Sequence, residues 1–205
     1  MFESLLSDPR RGVKEIKGIN IDGWDGVTFT KSDGVTVGET TSFIGNPTLD
    51  WLRIPYLNTP DPESSQYGTR IDIAFRLYEY YTVTDTARFR ILHRYRQGAD
   101  VTSWGISLNG SRKIVFTYNS ISTVYDPVLE FNTVYKLSIK RLNGVWSIYL
   151  DDVLLGNLNF AGDRISTHDW VFGSYITSAD GIVGTTLSGR ARWDLIGVQV
   201  RKTQT

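Results

Sequence analysis

The sequence predicts an all-β protein of antiparallel strands, and three observations predict it. The 205 residues are rich in Gly, Tyr, Trp, Phe, Val, Ile and Thr, which favour pleated strands and tight turns over helices. Asn-Gly and Asp-Gly pairs recur along the chain, and such pairs supply the positive φ of a two-residue hairpin. Apolar and polar residues alternate with a period of two over long stretches, and no long amphipathic helix stands out. A chain of this length can bury one substantial core, so the expected organisation is a two-sheet sandwich over residues 21–205 with a short N-terminal docking arm, residues 1–20, ahead of it.

Charge and cysteine content narrow the function classes. Lys plus Arg and Asp plus Glu number 22 each, so no global field holds a polyanion and nucleic acid is not an expected partner. The absence of cysteine excludes a disulfide framework, a thiolate nucleophile and a cysteine-ligated zinc. The opening run MFESLLSDPRRGVKEIKG carries Glu3 and Asp8 and has no apolar stretch long enough for a signal peptide or a span. The chain is therefore expected to be made in a cytoplasm, with no membrane partner.

Taken in order, residues 1 to about 18 are the one stretch with helical signals, since Ser7-Asp8-Pro9 resembles an N-cap followed by proline. Gly12 weakens that helix, and a loosely ordered terminus is the alternative to a docking arm. NIDGWDGVTFTKSDGVTVGETT contains Asp-Gly three times; the spacing lacks the alternating ligands of a calcium loop, so hairpin turns are expected. SFIGNPTLDWLRIPYL then breaks at NTPDPESSQYG, a loop that either rims a site or joins two sheets. In TRIDIAFRLYEYY, Ile71, Ile73, Phe75 and Leu77 fall on one face and Asp72, Arg76, Tyr78 and Tyr80 on the other.

The link TVTDT leads to ARFRILHRYRQ, with five basic side chains in nine positions. Read as a strand, Ala87, Phe89, Ile91, His93 and Tyr95 lie on one face, and Arg88, Arg90, Leu92, Arg94 and Arg96 on the other. If these two strands form a hairpin, Tyr80 faces Arg88, Tyr78 faces Arg90 and Asp72 faces Arg96. Guanidinium over phenol is worth about 0.5–1 kcal/mol at exposed sites, so the stripe can be satisfied internally. Arg88, Arg90, Arg94, Arg96, Tyr78 and Tyr80 are the candidate face for a ligand or partner, and a solvated or subunit-contacting face is the alternative.

Further on, WGISLNGSRKIVFTY is expected to turn at Asn109-Gly110 and YKLSIKRLNGVWSIYL at Asn143-Gly144. The Asn-Gly-Ser at 109–111 also matches a glycosylation acceptor, but the turn reading dominates. In RARWDLIGVQVRK, Trp193 and Leu195 alternate against Ile196, Val198 and Val200, which suggests burial on both sides.

The run VYKLSIKRLNGVWSIYLDDVLLGNL resembles the concanavalin A-like or laminin G-like jelly roll, with YLDDVLLG in place of a YLDG ending and Asp152 at the usual glycine. SFIGNPTLDWLRIP, RIDIAFRLY and ARWDLIGVQV are similar to further strands of that family in the same order, so the resemblance covers about residues 43–201. It implies an antiparallel two-sheet jelly-roll sandwich with loops along one rim, in a family of lectins, glucanases and noncatalytic modules of adhesins and virus particles.

The resemblance also supplies chemical tests. Family glucanases place Glu, Asp and Glu at alternate strand positions, and Glu3, Glu15, Glu39, Glu63, Glu79 and Glu130 form no such run. His93, on an apolar strand face, reads as a hydrogen-bonded core residue, and His168, beside Asp169 and Trp170, as a rim or structural one. Asp151, Asp152 and Asp180 are weak metal candidates that do not match the legume-type set, and no metal or other cofactor is expected. Of six tryptophans, Trp146 and Trp193 read as core, and Trp24 and Trp170 as rim positions in turns that could stack on a sugar.

Together these observations lead to four expectations. The first is a noncatalytic, non-enzymatic structural module that contacts other protein subunits as a homo-oligomer in a virus particle, such as a phage tail, fibre or capsid-surface protein. A lectin-like module for a cell-surface glycan comes second, a glycoside hydrolase with an unfamiliar site third, and nucleic-acid binding last.

Overall fold

Alternation gives each strand one apolar face, and the strands satisfy it by forming two sheets that bury these faces against each other. The structure, a computed structural model, describes residues 19–21, 30–31, 33–38, 40–44, 50–54, 68–81, 88–95, 104–118, 121–159, 169–173 and 190–203. Of the expected arm, residues 1–20, residues 1–18 lie outside them, and Ile19 and Asn20 belong to the first strand. In chain order the strands are β1 (Ile19–Ile21), β2 (Thr30–Lys31), β3 (Val35–Thr36), β4 (Thr41–Phe43) and β5 (Leu52–Ile54). The long β6 (Gly68–Tyr80) follows, then β7 (Phe89–Tyr95), β8 (Trp104–Leu108), β9 (Lys113–Tyr118) and β10 (Ile121–Val128). The chain continues through β11 (Val134–Leu142), β12 (Val145–Leu150), β13 (Val153–Asn159), β14 (Asp169–Gly173) and β15 (Ala191–Thr203).

Sheet I has the order β13-β12-β11-β6-β15-β4-β3, and β1 adds to β15; sheet II has the order β10-β9-β8-β7-β14-β5-β2. Neighbours pair antiparallel, except that β1 runs parallel to β15. Aromatic rings lock the sheets together. Trp146 of sheet I lies 5.4 Å from both Trp104 and Phe116 of sheet II and 5.9 Å from Tyr118. Farther along, Trp193 stacks on Phe43 at 4.4 Å and meets Phe89 edge-on at 5.3 Å. Each pair adds about 0.5–1.5 kcal/mol to what burying its area contributes.

Three bulges change which side chains face this core. Tyr78 is an extra residue against β15, because Leu77 pairs with Trp193 and Glu79 with Arg192. Ile196 is extra against β6, so Trp193, Leu195, Val198 and Val200 all reach the core, and the two-sided burial expected of this strand gives way to a single apolar face. Ile91 is extra against β8, since Arg90 pairs with Ser107 and Leu92 with Ile106. Both Ile91 and Leu92 are fully buried in the core, and the alternation beyond them is inverted.

Several expected connections differ. β6 and β7 are not a hairpin: β6 lies between β11 and β15 in sheet I, and β7 between β8 and β14 in sheet II. The short link passes between sheets, so the facing of Tyr80 with Arg88, Tyr78 with Arg90 and Asp72 with Arg96 does not occur. Asp33-Gly34 likewise carries the chain from β2 in sheet II to β3 in sheet I. Asn143 and Gly144, at φ 50° and 77°, form the expected two-residue turn. At Asn109 the loop is one residue longer: Arg112 N–H bonds Asn109 O at 2.9 Å, and Arg112 takes the left-handed position at φ 60°. The Asn109 side chain accepts from the Ser111 and Lys113 N–H groups, which favours this loop over the tighter one.

At one edge of the sandwich the outermost strands of the two sheets meet. Tyr125 of β10 packs over Gly156 of β13, where a Cβ would sit 3.0 Å from the ring. The Tyr125 hydroxyl is buried with no hydrogen-bond partner among the described residues, and burial raises its pKa. Tyr125→Phe, which removes an unsatisfied group, is therefore expected to raise stability by up to about 1 kcal/mol. Gly156→Ala, which forces the ring aside, is expected to lower it by about 1–3 kcal/mol. Urea midpoints of the two variants against the parent check both signs.

Candidate functional site

The inverted alternation after Ile91 decides what the outer face of sheet II displays. Arg90 pairs with Ser107, and His93 with Gly105 and Val171, so Arg90 and His93 share the face turned away from the core, with Arg88 on the same side of the strand. The sequence reading of His93 as a residue of the apolar face, opposite the arginines, is corrected by this one extra residue. Gly105 leaves room for it: a Cβ there would lie 2.9 Å from the His93 Cβ. His93, Ser107, Val115 and Val171 are at most 1% exposed although none belongs to the inter-sheet core. The middle of this face is therefore closed to solvent, and Arg88 and Arg90 border it, half-buried.

Arg88 extends across β8. Its Nη1 donates to Thr117 Oγ1 of β9 at 3.1 Å and to Ser122 Oγ of β10 at 2.8 Å, and the two hydroxyls bond each other at 3.0 Å. Thr117 and Ser122 are register partners on either side of the β9–β10 turn. Sequence reasoning missed both; the available signal was their place opposite each other in FTYNSIS, out of phase with the core residues Phe116 and Tyr118.

Tyr78 and Tyr80, expected on the arginine face, are elsewhere and apart. The bulge turns Tyr80 inward, where its ring meets Phe89 edge-on at 6.3 Å and its hydroxyl donates to Leu108 O at 3.0 Å. Tyr78 stays on the outer face of sheet I. Its hydroxyl donates to Asp194 at 2.6 Å, which raises the phenol pKa, and burial adds to the rise. Asp194 also accepts from Ser42 at 2.7 Å, and the Arg76 and Arg192 guanidiniums lie 5.9 and 5.5 Å from the Tyr78 ring. Ion pairs lie on this face: Arg70 with Asp72 at 2.8 Å, Lys136 with Asp152 at 2.9 Å, and Arg192 with Glu79 at 3.5 Å.

The remaining candidates are dispersed. Trp170 is not in a rim turn; it lies within β14, fully buried, edge-on to Trp104 at 6.2 Å. The backbone of Asp169 pairs with Tyr95 and that of Arg94 with Trp170, and their side chains, with Trp24, Arg96, His168 and Asp180, lie outside the described residues. Asp151 and Asp152 form the β12–β13 turn at φ 49° and 66°. The Asp151 carboxylate accepts the Lys136 N–H at 2.8 Å. Lys136 Nζ donates to Asp152 and holds that carboxyl below its ordinary pKa. Both carboxylates thus serve the turn.

No protein-family model and no curated protein matches the sequence. Solved structures do match in fold. Trypanosoma rangeli sialidase in complex with sialic acid matches with a TM-score of 0.64 and 14% identity over 88% of this chain. The chain spans 28% of that sialidase. A mutant of the same sialidase displaying trans-sialidase activity matches at 0.61 and 12%, over 92% of this chain and 30% of its own. An alginate lyase of polysaccharide lyase family 7 matches at 0.56 and 11%, over 86% of each chain. Identities this low speak to the fold alone: the chain is an all-β, two-sheet jelly-roll sandwich.

These neighbours overturn the leading sequence expectation, a noncatalytic structural component, and with it the expectation of no enzymatic role. The named structures that share the fold are carbohydrate-processing enzymes, and the phage setting has no support among them. The missing Glu-Asp-Glu strand excludes the one chemistry that needs it, not catalysis on this scaffold.

The buried imidazole predicts a pH dependence. Burial first, and then the Arg90 charge, hold the His93 pKa well below the ordinary 6.5. Between that value and 6.5 the unfolded chain binds a proton that the folded one does not, so stability falls as pH drops through the window and is unaffected above it. The melting temperature is expected to decline from about pH 7 to about pH 5.5, and the slope to be shallower in His93→Gln.

Proposed function

We propose that this chain recognises carbohydrate on the outer face of sheet II, as the glycan-engaging sandwich of a carbohydrate-active protein. The observation that carries this reading is the placement of Arg88 and Arg90 on one sheet face with the Thr117 and Ser122 hydroxyls between strands. Guanidinium and hydroxyl groups held on rigid strands suit the hydroxyl-rich edges of a sugar. His93 and Val171, on the same face, are fully buried and do not themselves touch ligand. Support from relatives is by fold analogy: the sialidase is described with sialic acid bound, and the lyase is named for alginate.

A glycan panel read together with mass spectrometry of the applied sugars tests this. Binding or cleavage of at least one carbohydrate class is expected, weakened on the order of tenfold in Arg90→Gln with the urea midpoint recording the fold. A blank panel with no cleavage product from the folded protein overturns the reading.

A further inference from the structure

The two outer faces of the sandwich differ in how their charges are satisfied. On sheet I each of Arg70, Lys136 and Arg192 meets a carboxylate, and Lys140 lies 4.3 Å from the Tyr149 ring centre. On sheet II Lys113 meets Asp126 at 3.1 Å, whereas Arg88, which shares the outward side of β7, meets no carboxylate among the described residues. Arg88 differs from all the paired cations. Its Nη1 is held by two neutral hydroxyls, which fix its direction and leave its charge in place. Its Nε and Nη2 have no partner among the described residues and are not buried. That edge of a guanidinium presents two parallel N–H groups, the fork that matches a carboxylate or sulfate.

We infer that the carbohydrate engaged here is an acidic one, whose carboxylate or sulfate docks on the Nε/Nη2 edge of Arg88. This rests on the carbohydrate reading above and adds the ligand's charge to it. Thr117 and Ser122 act as positioning residues, because they hold the guanidinium across β8 before ligand arrives. The occupant is set by charge complementarity: an anion neutralises a fixed cation that meets no carboxylate among the described residues, and a neutral sugar does not.

Calorimetric titration of the intact chain with a uronic-acid tetrasaccharide, its methyl ester and a neutral glucan tetrasaccharide tests this. The acid is expected to bind at least about tenfold more tightly than its ester at low salt, with the advantage shrinking as salt rises. Arg88→Gln is expected to abolish that advantage, Ser122→Ala to reduce it about two- to fivefold, and Arg192→Gln, on the other face, to leave it unchanged. Equal binding of acid and ester overturns the inference while the carbohydrate reading stands; no binding of any sugar removes the carbohydrate reading itself. A single-stranded oligonucleotide of matching charge that binds as tightly as the acid also overturns it, since that marks a general polyanion surface.

Discussion

The described strand positions are set by parity relative to the aromatic seam between the sheets. Trp146 against Trp104 and Phe116, and Trp193 against Phe43 and Phe89, fix which face of β12, β15, β8, β9 and β7 is inward. In a strand the other face follows automatically, because side chains alternate. A residue inserted into one strand is the local way to alter that relation without unpairing the sheet. The chain uses it at Ile91, at Tyr78 and at Ile196. The first brings His93 round to the side of Arg90, the second separates Tyr78 from Tyr80, and the third gathers the apolar residues of β15 on one face. The seam is thus conserved along each strand while the surface it dictates changes midway.

This explains what could be read from the residues. The alternation of VYKLSIKRLNGVWSIYL is uninterrupted, its turn is local, and its pairing partner is the next strand, so β11, β12 and the Asn143-Gly144 turn were legible. The partners of β6 are β11 and β15, more than fifty residues away, and no local signal encodes such a pairing. A link as short as TVTDT suggests a hairpin, but it can equally carry the chain from one layer to the other, as Asp33-Gly34 does. Bulges are harder still. Ile91 followed by Leu92 looks like ordinary strand sequence, and only the demand that both reach the core reveals the inserted residue. Trp170 read as a rim residue because it adjoins Thr167, His168 and Asp169; its burial follows from pairing with β5 and β7, strands remote in sequence.

The surface consequences divide by sheet. Sheet I carries acids and bases in alternating, mutually satisfying positions, with Asp194 drawing Ser42 and Tyr78 into one cluster and Asp72 accepting from Ser138 and Arg70. Such networks hold side chains in place with little left over for a ligand. Sheet II adds a different kind of order, from the hydroxyls that hold Arg88 and from close packing over Gly105. A protein with zero formal net charge can therefore hold one arginine on neutral hydroxyls while pairing others with carboxylates, a distinction that composition does not contain.

The placement of β1 bears on how the sandwich responds to force. Ile19–Ile21 runs parallel to Val198–Val200, on the side of β15 away from β6. The chain enters β1 at one end of this pair and leaves β15 at the other, so tension between the flanking segments slides the two strands along each other. Hydrogen bonds across a sliding pair share the load at the same instant, whereas those of a hairpin pulled from its open end break in succession. The β6 ladder anchors β15 on its opposite side, so the short β1 contact is the element that such tension meets first.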